Sequence, residues 1–197
     1  MSNFARNFTV NWDATAMFNQ FRVRCSVENK EDEFVVFTRV GRGTKQFTVN
    51  NVFWGMLKHD SAFTVGDIVD DHRGNMFFLV AKSDSYRADK AEFYRTNCDI
   101  KIVRLIDEYE ETNVIGQIEE TISESTQGVY EQVSARMKMY DLGLLKSTTM
   151  RVLIPKNTEV KLLDRIYLNG GIYQVDDVNI STFPQFYYLQ LSVDNRG

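Results

Sequence analysis

The sequence predicts a mainly β protein of two small barrel-like units, joined by an acidic segment that is either a linker or a short helix. Three observations carry that expectation. Runs of alternating or β-branched residues recur along most of the chain. Glycine-containing turns punctuate those runs. A set of features also occurs twice, roughly one hundred positions apart. Boundaries follow from the change in texture: a first unit over 1–110 with an N-terminal extension, a linker or short helix over 111–132, and a second unit over 133–197.

Taken in order, residues 12–21 (WDATAMFNQF) read as a helix with Asp13 as a candidate N-cap. FRVRCSVE (21–28) alternates apolar and polar side chains, and EFVVFTRV (33–40) is β-branched and aromatic. Gly41-Arg42-Gly43 supplies a turn before KQFTVNNVFWGML. FTVGDIVDDHRGNMFFLVAK gives two strands around Arg73-Gly74-Asn75, and CDIKIVRLI (98–106) is expected to close the first unit. KSDSYRADKAEFYRTN (82–97) reads as a long polar loop, of a kind that is uncommon unless it has a role. Residues 107–132 are acidic, and Ile115, Ile118, Ile122 and Val129 keep an approximately helical spacing interrupted by Gly116 and Gly128. The strands TMRVLIP, RIYL, GIYQVDDV and FYYLQLSV complete the chain.

Sliding the sequence by 97 positions exposes the repetition. Met56-Leu57 then falls on Leu153-Ile154, Asp60 on Asn157, Asp67 on Asp164, and Gly74 on Gly171. With one residue dropped, Phe77 meets Tyr173, and EFYR (92–95) resembles QFYY (185–188) at a shift of 93. A short strand, a glycine turn and an aromatic return strand make a hairpin whose apolar face needs cover, which closure into a barrel supplies. Gly66, Asp67, Gly74, Asp164, Gly170, Gly171 and Tyr173 are accordingly expected to define turns rather than to perform chemistry.

Composition narrows the function. The chain has 197 residues, a net charge of −4, 25% charged and 13% aromatic residues. No apolar run approaches the roughly 18 residues of a membrane span, and the N-terminus lacks the pattern of a secretory signal. Cys25 and Cys98 are too few for a disulfide framework and are expected as reduced, buried thiols, with one disulfide between them as the alternative. Phosphate-loop, dinucleotide-binding and zinc-protease motifs are absent from the sequence, as is a serine elbow. His59, Asp60, Asp67, Asp70, Asp71 and His72 form the densest group of ligand types, which is the basis of a metal-dependent hydrolase reading. Against it, Asp70 and His72 share a strand face while Asp71 points the other way. Paired acids such as Glu119-Glu120 and Asp176-Asp177 read as solvated faces.

Two binding readings remain. A nucleic-acid module could use the aromatic FPQFYYLQL with Lys161 and Arg165, or the basic stretches 39–45, 86–90 and 94–104. An assembly protein fits the aromatic and Arg residues at loops and loop borders, since such residues dominate interface hot spots. The candidate contacts are Phe53, Trp54, Tyr86, Arg87, Phe93, Phe183, Pro184 and Phe186.

The stretch NTEVKLLDRIYLNGGIYQVDDVNISTFPQFYYLQL resembles the small β-barrel proteins that close the head of tailed bacteriophages and join it to the tail. FTVGDIVDDHRGNMFFLVAK followed by CDIKIVRL is similar to the same pattern, with Gly66-Asp67 intact; Leu163 stands in place of that glycine in the second copy. The resemblance spans about residues 50 to 106 and 145 to 193. It implies a head–tail connector, stopper or tail-completion protein that forms a ring, often sixfold or twelvefold, around the DNA channel. The implied partners are further copies of the chain, a portal or adaptor, tail proteins, and genomic DNA that passes without sequence-specific binding. The implied location is the virion, assembled in the bacterial host cytoplasm. The resemblance brings no catalytic residues, cofactor, metal or membrane.

Overall fold

A computed structural model describes residues 19–39, 51–85, 88–110 and 113–196. Among these residues twelve strands form two closed barrels of six strands each, and the chain divides between Thr96 and Asn97. The first barrel contains β1 (Val23–Val27), β2 (Glu33–Arg39), β3 (Val52–Leu57), β4 (Ile68–Asp70), β5 (Met76–Ser83) and β6 (Asp89–Arg95). The second contains β7 (Cys98–Glu110), β8 (Asn113–Gln132), β9 (Met150–Pro155), β10 (Arg165–Leu168), β11 (Gly171–Asn179) and β12 (Phe186–Val193), with a short helix α1 (Ala135–Tyr140) between β8 and β9. No helix among the described residues is long and apolar enough to cross a membrane.

Both barrels have one topology. Around the first the order is β1-β2-β3-β6-β5-β4, and around the second β7-β8-β9-β12-β11-β10, with every pairing antiparallel. Closure comes from Val27 against Val69 in one and Ile102 against Ile166 in the other. Each fifth strand carries a bulge, between Leu79 and Ala81 and between Val175 and Asp177. Registers carried outward from these bulges superimpose Met56 on Leu153, Val69 on Ile166, and Phe77 on Tyr173. The duplication expected at these positions is therefore present. Elsewhere the alignment shifts: Phe93 corresponds to Leu191, so EFYR and QFYY are not equivalent. Gly74 and Gly171 are not equivalent either, because the β4–β5 turn spans five residues and the β10–β11 turn only two, Asn169 and Gly170.

Alternation on the strands fills each interior. The first core holds Cys25, Val35, Leu57, Val69, Leu79 and Phe93, with a knot of rings at one side. There Phe37 stacks on Phe77 at 4.7 Å between centroids, while Phe53 meets Phe77 edge-on at 5.6 Å. Gly55 on β3 makes room for this knot: a Cβ there would collide with the Phe93 ring and lie 3.1 Å from Val35 Cγ1. Gly55→Ala is expected to destabilise the first unit by about 1–3 kcal/mol through overpacking. Urea unfolding followed by tryptophan fluorescence checks this, because Trp12 and Trp54 both precede Thr96.

Three expectations about organisation need correction. Cys98–Ile106 opens the second barrel as β7 and does not close the first. The presumed linker or helix at 107–132 is strand, running from the end of β7 into the 20-residue β8. Three irregularities in the β7–β8 register break its alternation, and its outer part has solvent on both faces, so no period of two marks the strand and the approximately helical spacing misleads. The supposed loop 82–97 contains β6, whose Ala91 and Phe93 point into the core. Of the helix expected over 12–21, residues 19–21 are helical and 12–18 lie outside the described residues.

Candidate assembly surfaces

The repeated aspartate proves to be the anchor of a repeated loop. Asp67 Oδ2 accepts from the Thr64 N–H at 2.7 Å, and Asp164 Oδ2 from the Lys161 N–H, also at 2.7 Å. The residue before each aspartate has left-handed backbone, Gly66 at φ 105° and Leu163 at φ 70°. Its N–H donates to Leu79 O in one copy and Val175 O in the other. A cation from the first hairpin then grips the carboxylate. Lys30 Nζ lies 2.6 and 2.9 Å from the Asp67 oxygens; Arg104 Nε and a terminal guanidinium nitrogen each lie 2.8 Å from those of Asp164. Each cation also donates to an equivalent carbonyl, Ala62 O or Glu159 O. Gly170 at φ 78° and Asn169 at φ 50° give the primed two-residue turn that Asn-Gly favours. Gly171 serves a different purpose, because the Tyr173 ring lies where its Cβ would be.

The expected contact residues scatter. Phe93 and Phe186 are fully buried and Phe183 nearly so, which removes them as surface anchors. Phe53 is half-buried in the ring knot. Trp54, at 40% exposure, and Pro184 remain at the surface; Tyr86 and Arg87 lie outside the described residues. Phe186, Tyr188 and Gln190 share one face of β12. Both faces are buried, since Leu189 and Leu191 point into the barrel and the opposite face is covered by the chain itself.

That cover is a strap, residues 141–149, which follows α1. Gln190 Oε1 accepts from the Leu145 N–H and the Thr148 hydroxyl, both at 2.9 Å, and Gln190 Nε2 donates to Gly143 O. Beside it Arg151, 1% exposed, donates to Glu131, to the Tyr188 hydroxyl and to Asp141 at the start of the strap. While the strap's inner side is tied down, its outer side and α1 expose Met139 (74%), Tyr140 (76%), Leu142 (98%) and Leu145 (43%). α1 itself buries nothing. Four large apolar side chains are thus exposed within seven residues, a local concentration that points to an interaction site.

A second surface stands at the opposite end of the barrel. Beyond Val103, β7 pairs only with β8, so Arg104–Glu110 and Asn113–Thr121 form a two-stranded arm. Its root is held by the Arg104–Asp164 pair and by Glu119, which accepts from Arg165 (2.9 Å) and the Tyr167 hydroxyl (2.8 Å). Those hydrogen bonds, Tyr167's the larger, hold the Glu119 carboxyl below the usual carboxylate range. The first barrel has no counterpart to the arm. Val23 corresponds to Cys98, 75 positions on, whereas Val36 corresponds to Val129, 93 positions on, so the second hairpin is 18 residues longer. The arm's isoleucines fall at a near-helical spacing although the segment is strand, because neither of its faces is buried to impose a period of two.

Arg165 also donates to Asp194, whose carboxylate is 1% exposed. Burial raises the Asp194 pKa, but hydrogen bonds from the Arg196 side chain and backbone and from Arg165 outweigh it and hold the carboxyl well below the ordinary value. A depressed carboxyl contributes stability above its unfolded pKa and loses it as pH falls, so the second unit should weaken below about pH 4. Asp194→Asn, less stable at neutral pH, should lose less over the same interval. Urea midpoints between pH 7 and pH 2 check this.

The ligand-type residues at 59–72 do not converge. His59 Nδ1 lies 2.9 Å from Asp89, while Asp71 caps the β4–β5 turn through the Arg73 and Asn75 N–H groups. Among the described residues no three His, Cys, Asp or Glu side chains are placed to hold a metal ion. Three of the cations named for nucleic acid are paired with acids, Lys101 with Glu124, Arg104 with Asp164 and Arg165 with Asp194, while residues 40–45 and 86–87 lie outside the described residues. Both cysteines are free and buried; burial chiefly, with neighbouring aspartates, pushes each thiol up to about 12. No family model matches the chain, and no curated protein matches its sequence.

Proposed function

We propose that the protein is a structural component of a tailed-phage virion, a ring-forming connector, neck or tail-completion protein at the head–tail interface. The observation that carries this reading is the pairing of two distinct surfaces at opposite ends of one barrel, the arm and the strap, on a duplicated fold. A subunit with two different, oppositely placed contact surfaces assembles head to tail, and such assemblies close into rings when the rotation permits. The resemblance of the repeated Gly-Asp, glycine-turn and aromatic-strand pattern to head-closure barrels supplies the setting. Portal or adaptor and tail proteins are then the neighbours above and below, and a net charge of −4 suits a channel that DNA crosses without adhering.

Light scattering and electron microscopy of the full-length chain, alone and mixed with purified portal and tail-tube rings, test the proposal. Closed rings, or capture onto one of those templates, are expected. A chain that stays monomeric in every mixture overturns it. Tight binding of single-stranded DNA with a steep salt dependence would favour the nucleic-acid module instead.

A further inference from the structure

We infer that the arm of one copy docks on the α1 and strap surface of the next copy, making this pair of surfaces the subunit–subunit contact. The inference deepens the assembly reading above and rests on it. Three observations on the second unit lead to it.

The first is that the arm is unsupported where it stands. A two-stranded ribbon has only marginal stability in water, and packing against a further element is the usual remedy. Its two cross-strand isoleucines, Ile106 and Ile118, face each other and are 38% and 50% exposed. The second is charge. From Leu105 to Thr121 the sequence has no Lys or Arg; Glu108 and Glu120 share the face of the two isoleucines, while Asp107 lies on the other face and Glu119 is already bonded to Arg165 and Tyr167. The strap surface is the reverse: Arg136, Lys138 and Lys146 frame its exposed apolar group. The segment's own acid, Asp141, already faces Arg151, and the neighbouring Asp176 accepts from Ser147 and Gln174. An acidic ribbon with an apolar centre thus complements a basic rim around an apolar patch, and such complementarity fixes partner and register.

The third is geometry. The arm leaves the barrel at the β7–β8 end, and the strap follows the far end of β8. Fourteen residues of β8 separate Ile118 from Gln132, about 45 Å of strand at roughly 3.3 Å per residue. The two surfaces of one chain therefore lie towards opposite ends of β8, so a contact between them joins two copies. The contact is heterologous, as a ring requires. Both sides are held for it, the arm root by Asp164 and Arg165 and the strap by Gln190 and Arg151.

Disulfide trapping between two full-length populations tests the pairing, one carrying Ile118→Cys and the other Leu142→Cys. Cys25 and Cys98 are buried and do not compete. On mild oxidation of the mixture, the mixed disulfide should form about tenfold faster than either homodimer. Raising salt to about 0.5 M should cut that preference, since the charges are exposed. Glu108→Lys with Glu120→Lys on the arm chain should abolish the preference, and Arg136→Glu with Lys138→Glu on the strap chain should restore it. A mixed product no faster than the homodimers overturns the inference. If rings nevertheless form, the assembly reading survives and uses other surfaces. If the mixed disulfide forms but the chain yields only open polymers that ignore portal and tail rings, the arm contact stands and the neck reading falls.

Discussion

Asp164→Ala is expected to cost the second unit about 3 kcal/mol, the lower end of the range for breaking a buried ion pair. The carboxylate is 2% exposed and accepts from two nitrogens along one edge of the Arg104 guanidinium and from the Lys161 N–H. Its loss leaves a guanidinium with its best partner gone and a backbone donor unmatched at the turn. The estimate sits low because Arg104 is 20% exposed, so water relieves part of the loss. Asp67→Ala should cost the first unit less: Asp67 is 13% exposed, and Lys30, 25% exposed, keeps the Ala62 carbonyl and Thr64 hydroxyl. Denaturation should be followed by two probes, since two units need not unfold together. Asp164→Ala should shift the far-ultraviolet transition of the second unit and leave the tryptophan transition in place. Asp67→Ala should shift the tryptophan transition. Equal effects of the two substitutions would show that the arginine fork adds nothing over the lysine.

This pair of residues also shows how far the sequence could be read. Asp67 and Asp164 were legible because a carboxylate before a short strand recurs at one spacing, and a turn cap must keep its distance from the strand it starts. Leu163 hid the equivalence of the preceding glycine, since nothing in a leucine announces a φ of 70°. The β9, β10 and β12 strands were legible as apolar runs bounded by turn residues. β8 was not, because strand alternation marks a strand with one buried and one wet face, and the arm has none buried. The strap was invisible for the opposite reason. Gln190 and Arg151 read as the polar side of their strands, yet both are buried beneath a segment of the same chain. Polar residues on a strand report a polar environment, and here the environment is protein. The aromatics misled for the same reason in reverse: Phe93 lies inside β6, which reads as a polar loop, and Phe186 opens β12 beside a loop, yet both point into protein.

Arg151→Met should separate stability from assembly. The Arg151 side chain is the largest fully buried one among the described residues and meets Glu131 at 2.6 Å, so its removal strands a buried carboxylate and should cost the second unit about 3–5 kcal/mol. Replacing the partner as well, Arg151→Met with Glu131→Leu, should recover most of that loss, because apolar substitutes for a buried pair are often neutral. The double variant still lacks the bond from Arg151 to Asp141 that fixes the end of α1 and the start of the strap. Amide exchange over residues 137–144 should therefore be faster in the double variant than in the parent, at equal global stability. A strap that must be ordered on binding binds more weakly, so the trapped arm–strap product should fall in the double variant although folding does not. If stability, exchange and trapping all return together, the buried arginine holds the barrel and has no part in presenting the strap. If stability returns and trapping does not, the polar network is retained for the contact, and its position behind the exposed Met139, Tyr140 and Leu142 is what it contributes to the assembly.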